Sequence, residues 1–396
     1  GKTMFETVEK LPDDPILKLS QLCRDDPRPE KIDVGVGIFQ DTTGETPVMR
    51  AVKAAEQRIW QRQTTKKYVG VNGLEAFNQH MTALILGDKH DANRTRANQA
   101  VAGTGALRIV AEVLRTIAPG KRFWTPDPTW GNHHAIFGAC GFGVNSYPYY
   151  DREKSIVNTA AFFAALENMG PDDIVLLHGC CHNPSGADLT PADWDKVAEI
   201  AARRGFLPVV DLAYLGFGEG LDKDAYGVRR LASSLETLFI AASCSKNFGL
   251  YRERVGIVLT IAKDARTADA LRSHLAVASR AMVSMPPDHG AACVAEILGD
   301  SALYADWVKE LDEVSAYIRL RRQQLADALN RHGGNWNFIT DSHRGMFTLL
   351  PLGKERVERL RNDYAVYMVG EGRINIAGMK SENDVQRLAD AVKAVL

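Results

Sequence analysis

Along the chain, apolar runs of strand length alternate with stretches whose apolar residues recur at helical spacing. Arg122–Thr125, Val144–Tyr149, Ile174–His178, Leu207–Ala213, Leu238–Ser243 and Val255–Ile261 read as strands. Helical patterns fall between them, and Thr190-Pro191 supplies a clear cap and first-turn pair. This alternation predicts an α/β fold with a largely parallel sheet, and ligand residues on loops at the carboxyl ends of its strands. Asn183, Asp211, Tyr214 and Lys246 all follow such runs.

The flanks read differently. Residues 1–30 are polar and proline-punctuated, like an arm lying on another surface, and Ile32–Phe39 reads as a short strand with close-approach glycines. Thr46 to Arg62 is expected to be a helix opened by Pro47, followed by the turn-rich Lys67–Gly73. Ala302 to Arg331 predicts one amphipathic helix stopped by Gly333-Gly334, about 45 Å long and able to bridge two domains. Short strands and a final helix capped by Ser381 are expected to complete the chain.

The 396 residues, 45% hydrophobic, suffice for one large domain or two. Lys+Arg 48 against Asp+Glu 49 gives a net charge of -1, which points to no nucleic-acid or membrane partner. Six cysteines form no CxxC pair, and adjacent Cys180-Cys181 lacks zinc spacing, so no metal site is expected and reduced thiols of a cytoplasmic enzyme fit best. No run reaches transmembrane length and no signal-peptide pattern is present. Gly1-Lys2-Thr3 ahead of Met4 reads as an expression remnant.

Chemistry concentrates in Ser243-Cys-Ser-Lys246-Asn-Phe-Gly-Leu-Tyr-Arg-Glu-Arg254-Val-Gly256, between two apolar runs. A lysine just off a core strand, near the cation Arg254, has its pKa lowered and becomes a usable nucleophile and Schiff-base former. Alone, the stretch reads equally as a surface loop. Val101-Ala-Gly103-Thr104-Gly105 runs into a helix, a setting for a phosphate or merely a turn. Asp211 reads as a buried carboxylate needing a cation or as a turn cap. Trp130, His133 and His178 could each be plain core residues.

Four segments in order decide among these readings. The lysine segment, His178-Gly-Cys-Cys-His-Asn183-Pro-Ser-Gly186, Asp211-Leu-Ala-Tyr214-Leu-Gly-Phe217 and Gly372-Arg373-Ile-Asn-Ile-Ala-Gly378 resemble motifs of the aspartate and aromatic amino-acid aminotransferases, which use pyridoxal 5'-phosphate (PLP). The resemblance spans nearly the whole chain. It implies the PLP-dependent transferase fold type I, with a large domain at 46–311 and a smaller α/β domain from 1–45 and 312–396. It implies a cytoplasmic homodimer with shared active sites and ping-pong transfer of an amino group between an L-amino acid and a 2-oxo acid such as 2-oxoglutarate.

By the same resemblance, Lys246 tethers the cofactor and carries the proton, and Asp211 meets the pyridine nitrogen with His133 and His178 orienting it. Tyr214 and Asn183 meet the phenolic oxygen. Ser243, Arg254, Gly103 and Thr104 hold the phosphate, joined by Tyr68 from the neighbouring subunit. Trp130 lies on the ring face, with Gly131 in place of a usual proline beside it. Arg373 clamps the substrate α-carboxylate, Gly37 and Ile38 line the pocket, and Arg280 meets a distal carboxylate across the dimer. Val283 and Met285 depart from the family pattern beside Arg280, which bears on substrate preference. Other chemistries on this fold, a β-decarboxylase or lyase, and a non-catalytic binding protein are the alternatives.

Overall fold

A computed structural model describes every residue except Lys2, which lies in the Gly1–Thr3 stretch read above as a remnant. Its centre is a seven-stranded sheet. In chain order the strands are β1 (Thr95–Val101), β2 (Arg122–Asp127), β3 (Val144–Pro148), β4 (Asp173–His178), β5 (Leu207–Leu212), β6 (Leu238–Ser243) and β7 (Val255–Ile261). In space they run β1-β7-β6-β5-β4-β2-β3. Only β7 is antiparallel to its neighbours. Every residue of β6 and β7 is buried, the pattern of strands covered on both faces by helices.

The carboxyl ends of β1, β2, β4, β5 and β6 meet the amino end of β7 along one edge of the sheet. The sequence reading missed β1. Its Asn98 and Gln99 are polar yet fully buried, because their amides bond nearby chain: Gln99 Oε1 accepts from Leu74 N at 2.9 Å and its Nε2 donates to Pro287 O at 2.7 Å. Apolar periodicity gives no sign of such a strand.

Elsewhere the expected elements shift. The strand expected over Ile32–Phe39 is Ile32–Asp33 alone, paired in parallel with Val366–Tyr367. Beyond it the carbonyls of Val36 and Ile38 are bound by Asn375 Nδ2 instead of a neighbouring strand. The helix expected from Thr46 begins at Arg50. Inside the expected arm, Pro15–Asp25 is a helix capped by Asp14, with Pro15 at its first position. Lys354–Tyr364 is also helical, although only Val357 and Leu360 anchor it.

The long helix Ser301–Arg331 has 31 residues, and Gly333 and Gly334 follow with φ of 101° and 85°. Thr190 and Asp193 form a reciprocal cap, and Ser381 caps Glu382–Val395. No described helix is long and apolar enough to cross a membrane. All six cysteines are free and buried.

Candidate active site

At the sheet edge a cavity of about 260 Å³ opens. Lys246 enters it from the turn after β6, with Nζ 4.9 Å from the centre of the Tyr214 ring. Burial lowers its pKa, as do the positive charges of Arg254 and Arg373, against the opposing pull of Asp211. A larger share of neutral amine at ordinary pH favours nucleophilic and proton-carrying roles. The turn is anchored from behind: Trp307 Nε1 donates to Asn247 O at 2.8 Å and its ring stacks on Phe248 at 4.2 Å.

Asp211 is the penultimate residue of β5 and faces the same cavity. Burial pushes its carboxyl up, but the hydrogen bond from His133 and the favourable electrostatics of His133 and Lys246 bring it below the usual carboxylate value. His133 Nε2 lies 2.7 Å from Asp211 Oδ2. A carboxylate only accepts, so His133 presents Nε2–H to it. His178 does not reach Asp211 directly. Its Nε2 is 2.9 Å from Thr129 Oγ1, which is 2.7 Å from His133 Nδ1. Burial and the neighbouring His133 hold the His178 imidazole neutral, with its pKa lowered to about 3. His178 therefore reaches Asp211 through Thr129 and His133. Trp130 stands edge-on to His133, with ring centres 5.3 Å apart.

Beside the cavity β1 turns directly into the helix Ala102–Ile117. Gly103 and Thr104 lie in its first turn, where N–H groups are unpaired within the helix. Arg254, at φ 56°, brings its carbonyl within 3.1 Å of Ala102 N. Gly256 permits this approach, since a Cβ there would lie 2.3 Å from Ala102 O. Ser243 Oγ accepts from Ser245 N at 3.0 Å, and both serines line the cavity.

Arg373 is 8% exposed and makes no ion pair among the described residues. Its Nη1 donates to Asn183 Oδ1 at 3.3 Å and Nη2 to Gly35 O at 3.2 Å, over the Phe347 ring. Its Nε is buried with no partner. Gly37 also lines the cavity, whereas Ile38 stands outside the lining.

Tyr68 and Arg280 are not in this cavity. Tyr68 is 90% exposed, and Arg280 sits exposed near the end of the helix Ala265–Val283. The two segments meet where Val69 N contacts Met285 Sδ at 3.0 Å. The sequence reading also missed Thr129, Ile16, Ser245 and Phe347. The spacing of Thr129 four residues before His133 was a usable signal for the first. Ile16 and Phe347 enter from remote segments and leave no local trace.

A family model described as aminotransferase class I and II matches residues 29–392. An aspartate aminotransferase of Salmonella typhi is 43% identical over 99% of this chain and 100% of its own length. An aromatic-amino-acid aminotransferase of Paracoccus denitrificans is 45% identical over 96% of each chain. An aromatic-amino-acid aminotransferase of Burkholderia pseudomallei, solved covalently bound to pyridoxal phosphate, superposes with a TM-score of 0.96 at 39% identity, covering 100% of both chains. Similarity of this extent, running through the sheet and every segment that lines the cavity, establishes that the chain belongs to the aminotransferase class I and II family.

Proposed function

We propose that the cavity holds PLP and that the chain moves amino groups between L-amino acids, both dicarboxylic and aromatic, and 2-oxo acids such as 2-oxoglutarate. One observation carries this reading: a lysine amine of lowered pKa, a carboxylate fixed by His133 and a helix-terminal anion cradle share one small cavity. The donor set fits the cofactor. Gly103, Thr104, Ser243 and Arg254 suit its phosphate, Asp211 its ring nitrogen, Asn183 and Tyr214 its phenolic oxygen, and Trp130 its ring face. The unpartnered Arg373 Nε fits a substrate α-carboxylate.

When bound, PLP supplies an electron sink for the substrate Cα. The residues supply the rest. Asp211 keeps a proton on the ring nitrogen, because an ionised carboxylate beside it favours the protonated form. The Lys246 amine would hold the cofactor and, once free, would move the proton at the substrate Cα as general acid and base. Arg373 orients the substrate through its fork of donors, and Tyr214 donates toward the phenolic oxygen.

The same proposal divides the chain into a large domain at 46–311 and a smaller one from 1–45 and 312–396. It makes the protein a cytoplasmic homodimer with shared sites. Tyr68 and Arg280 serve the neighbour's cavity, and the exposed apolar residues Met4, Phe5, Val8 and Leu11 of the amino-terminal segment cover the partner. Six free thiols suit a reducing compartment.

Turnover of aspartate, glutamate, phenylalanine, tyrosine and leucine with 2-oxoglutarate tests the substrate reading. Activity on both aspartate and phenylalanine is expected. Absence of all 2-oxo acid product would overturn the transaminase assignment, and absence of aromatic turnover would overturn the dual preference.

A further inference from the structure

Away from the catalytic cavity, a second groove of about 390 Å³ lies between the loop after β5 and the long helix Ser301–Arg331. Lys223 comes from the first side, Arg319 and Arg322 from the helix, and Arg344 from the loop after Phe338–Asp341. The one carboxylate in the lining is Glu219, paired with Arg344 at 3.0 Å. His343, also in the lining, is held neutral by burial and by Arg322, its pKa lowered to about 3. Four cations against one carboxylate leave a strong local excess in a chain whose overall charge is -1.

Exposed lysines and arginines alone would be an ordinary solvated surface, and Lys223 and Arg319 are exposed. Arg322 is different. It is 3% exposed and has no carboxylate partner among the described residues. Its Nη1 and Nη2 donate to Ile339 O at 3.0 Å, Phe347 O at 3.0 Å, Gly345 O at 2.6 Å and the Thr348 hydroxyl. These neutral acceptors satisfy its hydrogen bonds without cancelling its charge, and a buried uncompensated cation is costly. Burial and the nearby Arg344 lower its pKa to about 9, against a weaker opposing pull from Cys181 and Asp188. An anion in the groove would relieve that repulsion and give the guanidinium charges a counterion.

We propose that this groove is a second binding site for a small multivalent oxyanion, held by Lys223, Arg319 and Arg344 beside the buried charge of Arg322 and bridging the β5 loop to the long helix. Guanidinium forks suit phosphate and carboxylate groups alike. The site is independent of the catalytic assignment, since none of its four cations lines the catalytic cavity.

The test is isothermal titration of the PLP-loaded enzyme with pyrophosphate and, separately, with citrate. The tighter of the two probes assigns the phosphate or the carboxylate class. Arg319→Ala with Lys223→Ala is expected to weaken the tighter probe by about tenfold or more. Transaminase activity should stay unchanged, which shows that the variant is folded. The control Lys263→Ala with Arg266→Ala, on exposed residues outside the groove, should leave binding unchanged. The proposal is overturned if neither probe binds saturably, if the groove variant binds as tightly as wild type, or if the control variant loses as much.

Discussion

Replacing Arg373 by leucine removes the cation assigned to the substrate α-carboxylate. The side chain is buried, its two Nη groups reach Asn183 and Gly35, and its Nε has no partner. Leucine keeps much of the apolar contact with Phe347 while deleting the fork. The incoming carboxylate would then lose its charge-assisted bonds inside a small cavity. Loss of one partner of such a buried pair costs about 2–5 kcal/mol, or about 30-fold to about 5,000-fold in kcat/KM. Arg373→Lys retains the charge without the bidentate geometry and should fall between leucine and wild type. The assay compares phenylalanine with phenethylamine, the same donor without its carboxylate. The leucine variant should lose efficiency on phenylalanine and little on phenethylamine. An equal loss on both donors, or none, would refute the assignment.

Asp211→Ala should retain bound cofactor yet slow single-turnover Cα deprotonation by about 100- to 1,000-fold, since the group that holds the ring proton is gone; an unchanged rate would remove Asp211 from that role. Trp307→Ala should lower stability by about 3–5 kcal/mol in urea unfolding, through the lost stack on Phe248 and the stranded Asn247 carbonyl; a loss below about 1 kcal/mol would mean the Lys246 turn is held otherwise. Mixing inactive Lys246→Ala subunits with inactive Arg280→Ala subunits should restore some aspartate activity after exchange, and verified heterodimers with none would count against shared sites.

The strands that build the site were legible because β4 to β7 are apolar runs buried on both faces, and burial is what such runs encode. The segment around Lys246 was legible as chemistry because ionisable residues interrupt those runs at their ends. β1 was hidden because Asn98 and Gln99 meet Asn72 and Leu74 by tertiary contacts that composition does not encode. The Thr129 relay was half visible, since spacing placed it near His133 but only the fold brings in His178. Ile32–Phe39 misled for the opposite reason. Its apolar alternation resembles a strand, but the Asn375 side chain occupies the carbonyls a neighbouring strand would bind. The groove around Arg322 had no local signature, because its cations lie on separate segments.

The central claim is that Lys246 carries the cofactor. Borohydride reduction of the PLP-loaded enzyme, followed by digestion and mass spectrometry, tests it directly. A pyridoxyl group is expected on the peptide containing Lys246, with none in Lys246→Ala. A pyridoxyl group on another lysine, or an unlabelled Lys246 in an enzyme that still transaminates, would contradict it.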